Sequence, residues 1–289
     1  MDGSPDTRSG RGTAAPSRTA YDALVAAADR LVVGLDMDGT LSPIVEDPEL
    51  AHIHPEAPDV LVDLAEVVRA VAIITGRPAR QALALGGLDE VGDEIGGHGR
   101  ELFVLGQYGH ERWTSSERRV ITPRPPHGLS TFLRDLPRLL RQADALDAHV
   151  EEKGLGVAIH TRRLPDPGAA QARLLEPVRR SAEAHGLITE PGRHVVEVRT
   201  PGIDKGVAVH RLAEELDAGG FLFAGDDLGD LEAFTAVRDL GERGLAAYLV
   251  CSASDEESAL RDLADEVVPG PDGVLELLRR LTADIRASR

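Results

Sequence analysis

Short, continuous runs of apolar residues recur in both halves of the chain. Continuous runs of this length are typical of strands that are buried on both faces of a parallel sheet. The runs are Leu31–Leu35, Val71–Ile74, Phe221–Ala224 and Ala246–Val250. Helical patterns lie between them, over Asp59–Arg69 and Lys205–Leu216. The succession of strands and helices predicts an α/β fold with a doubly wound parallel sheet and right-handed crossovers.

The middle of the chain has a different pattern, between a proline-rich break at Pro123–Pro126 and a turn at Pro201-Gly202. Within it, apolar residues alternate with other residues, which indicates strands with one covered face. The alternating stretches are Gly154–His160 and Val196–Arg199, and the amphipathic helical stretches are Leu129–Ala143 and Gly168–His185. This combination predicts a small α+β domain inserted into the larger one.

These patterns predict three regions. Residues 19–122 and 201–289 would form the catalytic core, and residues 123–200 would form the inserted domain. Residues 1–18 are rich in Gly, Ser, Pro and Arg and lack the apolar segment of a secretory signal, so we expect a disordered tail.

Composition restricts the partners. The net charge of −17 argues against nucleic acid, because binding it requires Lys and Arg to neutralise phosphates. An anionic substrate must then be attracted by local cations, either a bound metal or a few placed Lys and Arg. The single cysteine, Cys251, excludes an intramolecular disulfide, which fits a reducing cytoplasm. No apolar run reaches the roughly 18 residues of a membrane span, so we expect no membrane partner.

Four polar segments carry the candidate chemistry, and three of them directly follow a predicted strand. They are Asp36-Met37-Asp38-Gly39-Thr40, Thr75-Gly76-Arg77, Lys205 at the start of a helix, and Gly225-Asp226-Asp227-Leu228-Gly229-Asp230. Taken alone, each segment is explained by an ordinary turn or an acidic surface loop. Their shared position at strand ends is informative because open α/β sheets bind ligands beyond the carboxyl ends of their strands.

This set of side chains suits phosphoryl transfer. That reaction requires a nucleophile, cations near the phosphoryl oxygens and a proton for the leaving oxygen. Asp36 can attack phosphorus to form an aspartyl phosphate, while Asp38 can protonate the leaving alcohol and then activate water. Thr75 would hydrogen-bond one phosphoryl oxygen, and Lys205 would neutralise another.

Mg²⁺ is the cofactor that this arrangement predicts, because Mg²⁺ takes one or two carboxylates together with waters and phosphate oxygens. The candidate metal ligands are Asp36, Asp38, Asp226, Asp227 and Asp230. Asp36 and Asp226 would bind through their carboxylates, and Asp38 through its backbone carbonyl. The metal and Lys205 would then attract an anionic substrate despite the acidic net charge.

In this order, the four segments resemble the four motifs of the haloacid dehalogenase superfamily of phosphatases, and the insertion resembles that superfamily's type-2 cap. The segments similar to trehalose-6-phosphate phosphatases are Val150–Gly154, Ala158–Arg162, Val196–Arg199, Gly202–Gly206 and Gly225–Asp230. The resemblance runs from about Leu31 to Leu278. It implies hydrolysis of trehalose 6-phosphate to trehalose and phosphate, with a trehalose-phosphate synthase as a partner in the same pathway.

The resemblance also implies the residues that bind the sugar phosphate. They are Arg77, Glu111, Glu151, Lys153, Arg162 and Glu197. Two positions depart from the family pattern: Tyr108 stands where a His is usual, and Gly229 stands where a Thr is common. Neither departure affects the predicted nucleophile, acid/base residue or metal ligands.

Other functions remain open from the sequence. A sister enzyme would act on sucrose phosphate or mannosyl-phosphoglycerate. A phospho-accepting receiver module also uses Asp, Mg²⁺, Thr and Lys, but it lacks a counterpart of Asp38 and an inserted cap. A non-catalytic homologue that binds sugar phosphate is a third alternative, and the intact motifs argue against it.

Overall fold

The computed structural model describes residues 18–45, 47–123, 127–152, 155–192, 194–253 and 260–289. Lys153 and residues 1–17 of the predicted tail lie outside these ranges. The strands are β1 (Leu31–Leu35), β2 (Ala70–Ile74), β3 (Leu102–Gly106), β4 (Glu111–Thr114), β5 (His149–Glu152), β6 (Gly156–His160), β7 (Ile188–Gly192), β8 (Val195–Arg199), β9 (Gly220–Gly225), β10 (Ala246–Ala253) and β11 (Glu266–Pro269). The helices are α1 (Arg18–Ala26), α2 (Ala57–Ala65), α3 (Ala79–Gly86), α4 (Leu88–Gly97), α5 (His127–Gln142), α6 (Pro167–Ala184), α7 (Lys205–Glu215), α8 (Leu231–Glu242) and α9 (Gly270–Ser288).

The larger sheet has the strand order β11-β10-β9-β1-β2-β3-β4. Its neighbours pair in parallel except for β4, which runs antiparallel to β3 at one edge. The chain builds outward from β1 to β2 and β3 on one side, and from β9 to β10 and β11 on the other. The boundary between β1 and β9 is therefore a topological switch point, where open α/β sheets bind their ligands.

Both faces of the larger sheet are covered, which explains its continuous apolar runs. In β1, Leu31, Val33 and Leu35 pack into a cluster that includes residues of α2, α4 and α9. Val32 points to the opposite face and joins Phe221 in a cluster with α7 and α8. Successive side chains of a strand alternate between faces, so both must be apolar here. The predicted α/β doubly wound fold is confirmed.

The smaller sheet is antiparallel, with the order β5-β6-β8-β7. Helices α5 and α6 cover one face, where Val157, Ile159, Val196 and Val198 are buried with Phe132. The alternation seen in the sequence arises because none of the helices in the described ranges covers the other face. This unit is the α+β insertion in the predicted architecture, while the exact domain boundaries stay a prediction.

One predicted helix ends earlier than its pattern. The apolar pattern over Asp59–Arg69 continues through Val67 and Val68, but α2 ends at Ala65. Both valines are buried in the turn that leads into β2, where the backbone amide of Arg69 donates to the Leu31 carbonyl (2.9 Å). The apolar pattern in the sequence is thus longer than the helix, because the two valines are buried without being helical. Within the described ranges, none of the helices is long and apolar enough to cross a membrane.

Candidate active site

A cleft of about 760 Å³ lies between the strand ends of the larger sheet and the open face of the smaller one. The predicted site residues that line it are Asp36, Asp38, Thr75, Arg77, Glu151, Glu197, Lys205, Asp226 and Asp227. They come from the ends of β1, β2 and β9, from the start of α7 and from β5 and β8. The fold thus brings together residues that lie as far as 191 positions apart, from Asp36 to Asp227.

Lys205 joins two carboxylates at the base of the cleft. Its Nζ donates to Asp36 Oδ1 (2.5 Å) and to Asp230 Oδ1 (2.6 Å). The three side chains are 5%, 7% and 0% exposed for Lys205, Asp36 and Asp230. Lys205 is the first residue of α7, whose start is fixed by Asp204, since the Asp204 side chain accepts from the Val207 amide (2.9 Å). The helix cap therefore positions the ammonium.

Asp230 uses both of its oxygens within the protein. Oδ1 accepts from Lys205, and Oδ2 accepts from the backbone amides of Asp226 (3.0 Å) and Asp227 (3.4 Å). The exposed Asp227 carboxylate accepts from the Gly229 amide (2.8 Å) and so begins the turn Leu228–Asp230. These contacts indicate that Asp230 orients the lysine and the acidic loop.

Several carboxylates surround a single ammonium group, that of Lys205, and this imbalance of charge affects their pKa values. Burial raises the pKa of Asp36, although the charge of Lys205 opposes this, and burial likewise raises the pKa of Asp230. Burial and the charges of Asp227 and Asp230 raise the pKa of Asp226 to about 7. Although burial lowers it, the charges of Asp230 and Asp36 raise the pKa of Lys205 above its usual value. The cluster is therefore short of positive charge.

The same cluster has the composition of a metal site. Asp36, Asp226 and Asp230 are buried, and one carboxylate oxygen from each lies within 4.8 Å of the others. Carboxylate oxygens are the ligands that hard divalent cations prefer, and a cation here would offset the buried negative charge. The residues present thus fit a divalent metal.

Gly39 allows the two acidic loops to approach each other. It has a left-handed backbone (φ 73°), and a Cβ placed on it would lie 2.0 Å from Asp226 Oδ2. The Ser252 hydroxyl, at the end of β10, donates to the Gly39 carbonyl (2.6 Å) and braces the loop from the other side. Any side chain at position 39 would therefore displace the Asp226 carboxylate.

Asp38 is held by Arg77. The guanidinium donates to both Asp38 oxygens (2.6 Å each) and also to the Pro48 carbonyl (2.8 Å). Hydrogen bonding to Asp38 raises the pKa of Arg77 above its usual value, although burial opposes this. Because both Asp38 oxygens are engaged, the pair must open before Asp38 can give a proton to a leaving group.

The cap side of the cleft is acidic. Glu151 and Glu197 both pair across the sheet with Ala158, so the two carboxylates flank one small residue on the open face. The Glu151 carboxylate lies 3.0 Å from His160 Nε2. Glu197 lies between the buried Val196 and Val198 in the sequence, which directs it to the open face.

Two of the residues predicted to bind substrate, Glu111 and Arg162, do not line the cleft. Glu111 Oε2 accepts from the Ala79 amide (2.7 Å) at the start of α3, where it steadies the loop that carries Thr75 and Arg77. Arg162 lies exposed in the turn after β6. Lys153 lies outside the described residues. The substrate-binding roles of all three stay predictions.

Sequence reasoning missed several residues that shape the site. Tyr108 was noticed only as a departure from a pattern, yet it lines the cleft. Ser252 braces Gly39, and the sequence holds a signal for it, because it is a polar residue two positions after the predicted strand Ala246–Val250. Ile44 and Leu155 also line the cleft, and as isolated apolar residues they carry no signal in the sequence.

The chain was compared with known families and proteins. A family model described as trehalose-phosphatase matches residues 34–269. An uncharacterized glycosyl hydrolase of Mycobacterium tuberculosis is 33% identical over 269 residues, covering 89% of this chain and 18% of that protein. A trehalose-phosphate phosphatase of Mycobacterium bovis is 30% identical over 264 residues, covering 88% of this chain and 62% of that protein. The chain thus spans less than two thirds of the length of these relatives.

A solved structure, the C-terminal domain of C. albicans trehalose-6-phosphate phosphatase, superposes with a TM-score of 0.70. The two chains are 19% identical, and the match covers 95% of this chain and 99% of the solved one. At this identity, the likeness shows a shared fold alone. The family model matches well over half of the chain, and the resemblance drawn from the motifs is confirmed. The chain belongs to the trehalose-phosphatase family.

Proposed function

We propose that this chain hydrolyses trehalose 6-phosphate to trehalose and phosphate through an aspartyl phosphate on Asp36. The observation that carries the proposal is the position of Asp36. It follows the central strand β1 at the switch point of the sheet, its carboxylate lies 2.5 Å from Lys205 Nζ, and it lines the cleft. Family membership supports the same activity.

The reaction needs two displacements at phosphorus. In the first, an Asp36 oxygen attacks, the bond from phosphorus to the sugar oxygen breaks, and Asp38 gives its proton to that oxygen. In the second, the Asp38 carboxylate removes a proton from water, which attacks the phosphorus of the aspartyl phosphate and restores Asp36. Asp38 is thus returned to its protonated form. The contact with Arg77 must open for both proton transfers.

An ammonium group and a hydroxyl group would meet the phosphoryl oxygens. The Lys205 ammonium is held between Asp36 and Asp230 and has little freedom to move, so it is preorganised for this task. Thr75 directly follows β2 and lines the same cleft, and its hydroxyl would donate to another phosphoryl oxygen. Such groups stabilise charge strongly because the site is largely shielded from water.

Mg²⁺ is the metal that we propose for the acidic cluster. Asp36 and Asp226 would hold it through their carboxylates and Asp38 through its backbone carbonyl, whereas Asp230 would orient Lys205. Asp227 and Asp230 stay candidate ligands, but their hydrogen bonds to backbone amides favour structural roles. When bound, Mg²⁺ supplies charge neutralisation at the phosphoryl oxygens.

The open face of the smaller sheet is proposed to recognise the disaccharide. Glu151 and Glu197 are charged acceptors facing the cleft, and sugar hydroxyls are matching donors. We further propose that the chain acts in the cytoplasm and shares a pathway with a trehalose-phosphate synthase, because another enzyme must supply a phosphorylated disaccharide.

A phosphate-release screen tests the proposal. The purified chain is assayed with trehalose 6-phosphate, sucrose phosphate, mannosyl-phosphoglycerate and glucose 6-phosphate, with Mg²⁺ and, after metal removal, with EDTA. We expect the highest kcat/KM for trehalose 6-phosphate and no turnover in EDTA. Ca²⁺ should inhibit because it prefers more oxygen ligands at longer distances.

Each alternative gives a different outcome. A higher kcat/KM on sucrose phosphate or mannosyl-phosphoglycerate would indicate a sister enzyme. Binding of sugar phosphate without release of phosphate would indicate a non-catalytic homologue. Full activity in EDTA would overturn the metal assignment.

A further inference from the structure

Tyr108 is an aromatic residue placed in the cleft rather than in the core. It is 39% exposed and lines the cleft together with Thr75 and Glu197. By contrast, the rings of Trp113, Phe103 and Phe234 are buried in the packing of the larger domain. Leaving an aromatic face in water forfeits the favourable burial that a core position offers, so this placement requires another explanation.

The backbone holds Tyr108 in an unfavourable conformation. Gln107 and Tyr108 both have left-handed backbones (φ 47° and 58°), a region that residues with a Cβ rarely adopt. The turn is fixed by two hydrogen bonds to the neighbouring loop, from the Gln107 amide to the Arg77 carbonyl (2.8 Å) and from the Tyr108 amide to the Thr75 carbonyl (2.9 Å). Strain of this kind collects at functional sites.

The ring is seated directly on the loop that carries Thr75. A Cβ placed on Gly76 would lie 3.0 Å from both Cζ and the hydroxyl oxygen of Tyr108. The absence of a side chain at position 76 therefore makes room for the ring, and the hydrogen bonds around it fix its base. Tyr108 thus stands beside the proposed phosphate site and faces the same cleft as the acidic residues of the smaller sheet.

We propose that Tyr108 is a substrate-contacting specificity residue that packs its ring against the C–H face of the sugar unit bearing the phosphate. This inference rests on the proposed sugar-phosphate activity. A pyranose ring has hydroxyls along its edge and C–H groups on its faces. Glu151 and Glu197 provide charged acceptors for hydroxyls from the cap, and Tyr108 provides an apolar, electron-rich face from the core.

The phosphorylated unit is the one within reach of this ring. Tyr108 hydrogen-bonds to the backbone of Thr75, which directly follows β2 at the end of the sheet where Asp36 lies. A sugar whose phosphate lies at Asp36 and which extends toward Glu151 and Glu197 occupies the cleft that Tyr108 also lines. A phosphate ester without a ring makes no such contact.

The test compares two substrates in three variants. Wild type, Tyr108→Phe, Tyr108→Gly and a control, Asp144→Gly, are assayed with trehalose 6-phosphate and with glycerol phosphate, which has no sugar ring. In Tyr108→Gly, we expect kcat/KM for trehalose 6-phosphate to fall about tenfold, mainly through KM, since one aromatic contact is lost. Glycerol phosphate should be hydrolysed as by wild type, and Tyr108→Phe should keep most of the sugar-phosphate activity.

The glycine substitution separates binding from folding. Gly adopts left-handed backbone without penalty, so Tyr108→Gly should not lower the melting temperature appreciably. Asp144 has the same backbone region (φ 51°) and lies on the surface away from the cleft lining, so Asp144→Gly should leave both substrates unaffected.

Three results would overturn the inference. Equal losses on both substrates would mean that Tyr108 only supports the Thr75 loop. Unchanged kinetics on trehalose 6-phosphate would mean that the ring does not touch the sugar. A fall in kcat at constant KM would assign it to the chemical step instead. If wild type hydrolyses glycerol phosphate but no sugar phosphate, the proposed function itself fails, which is a different outcome.

Discussion

The two ends of the cleft are built on different physical principles. At the core end, Asp36, Lys205 and Asp230 are buried, and their charges are joined by hydrogen bonds of 2.5 and 2.6 Å. At the cap end, the Glu151 side chain is 47% exposed, and its His160 neighbour is partly exposed too. Charges at the core end act in a low-dielectric environment, whereas those at the cap end are screened by water.

This difference separates chemistry from recognition. The core end is fixed before substrate arrives, so its groups need little reorganisation in the transition state. Under the proposed function, the electrostatic interactions of the cap end strengthen when a bound sugar displaces water from the open face. Substitutions at the core end should therefore affect every phosphate ester, and substitutions at the cap end should affect sugar phosphates selectively.

The largest effect is expected from Asp36→Asn. An amide cannot form the acyl phosphate, so turnover of trehalose 6-phosphate and of p-nitrophenyl phosphate should both fall by at least about 10⁴-fold. The near-isosteric amide should keep the fold, which circular dichroism would check. Folded protein that retains substantial activity would remove Asp36 from the nucleophile role.

Lys205→Met should abolish activity and also weaken the fold. Removing the ammonium leaves Asp36 and Asp230 buried without their partner, which costs about 3–5 kcal/mol of unfolding free energy. Urea denaturation measures this, with Arg180→Met as the control. Arg180 contacts Glu176 on the exposed surface of α6, and its loss should leave the denaturation midpoint nearly unchanged. Similar midpoints for the two variants would contradict the buried network.

Gly39→Ala should produce a smaller loss that is confined to the core end. The new methyl group would meet the Asp226 carboxylate, and the displacement should lower kcat roughly 10²-fold and raise the Mg²⁺ concentration required. The control is Gly96→Ala in α4, where a Cβ meets no atom within 4 Å among the described residues. That variant should be active and slightly more stable, because Ala favours a helix. Normal metal dependence in Gly39→Ala would show that the loops do not need this close approach.

The smallest effect is expected at the cap end. Glu197→Gln should weaken charge-assisted hydrogen bonds to sugar hydroxyls and lower kcat/KM for trehalose 6-phosphate by about one to two decades. Activity on p-nitrophenyl phosphate should barely change. Glu183→Gln, on the helical side of the same unit, is the matched control. An unchanged ratio of the two specificity constants would remove Glu197 from sugar recognition.

The core end could be predicted from the sequence because its residues follow buried strands. Asp36, Thr75 and Asp226 each come directly after an apolar run, and parallel strands place such positions at one edge of the sheet. Lys205 does not follow an apolar run, and its position in the site could be predicted only from the order of the four motifs along the chain. Covalent order and sheet topology therefore carry most of the information on this end.

The side-chain contacts around the site could be predicted less fully because they depend on packing between separate elements. Nothing in the sequence shows that Glu111 contacts the Ala79 amide, or that Arg77 holds both oxygens of Asp38. The exposure of Tyr108 likewise depends on how its turn sits against Gly76. Side-chain direction in turns is set by tertiary contacts, which local patterns do not encode.

The most direct test of the account is detection of the phosphoryl group on Asp36. Asp38→Asn is mixed with p-nitrophenyl phosphate and Mg²⁺, quenched in acid, digested and analysed by mass spectrometry. p-Nitrophenolate leaves without a proton from Asp38, whereas the water that should release the phosphoryl group lacks its base, so the intermediate accumulates. We predict a burst of p-nitrophenolate equal to the enzyme concentration, with one phosphoryl group on the peptide containing Asp36. Steady turnover without a burst and with unmodified Asp36, or a phosphoryl group on another residue, would contradict the mechanism.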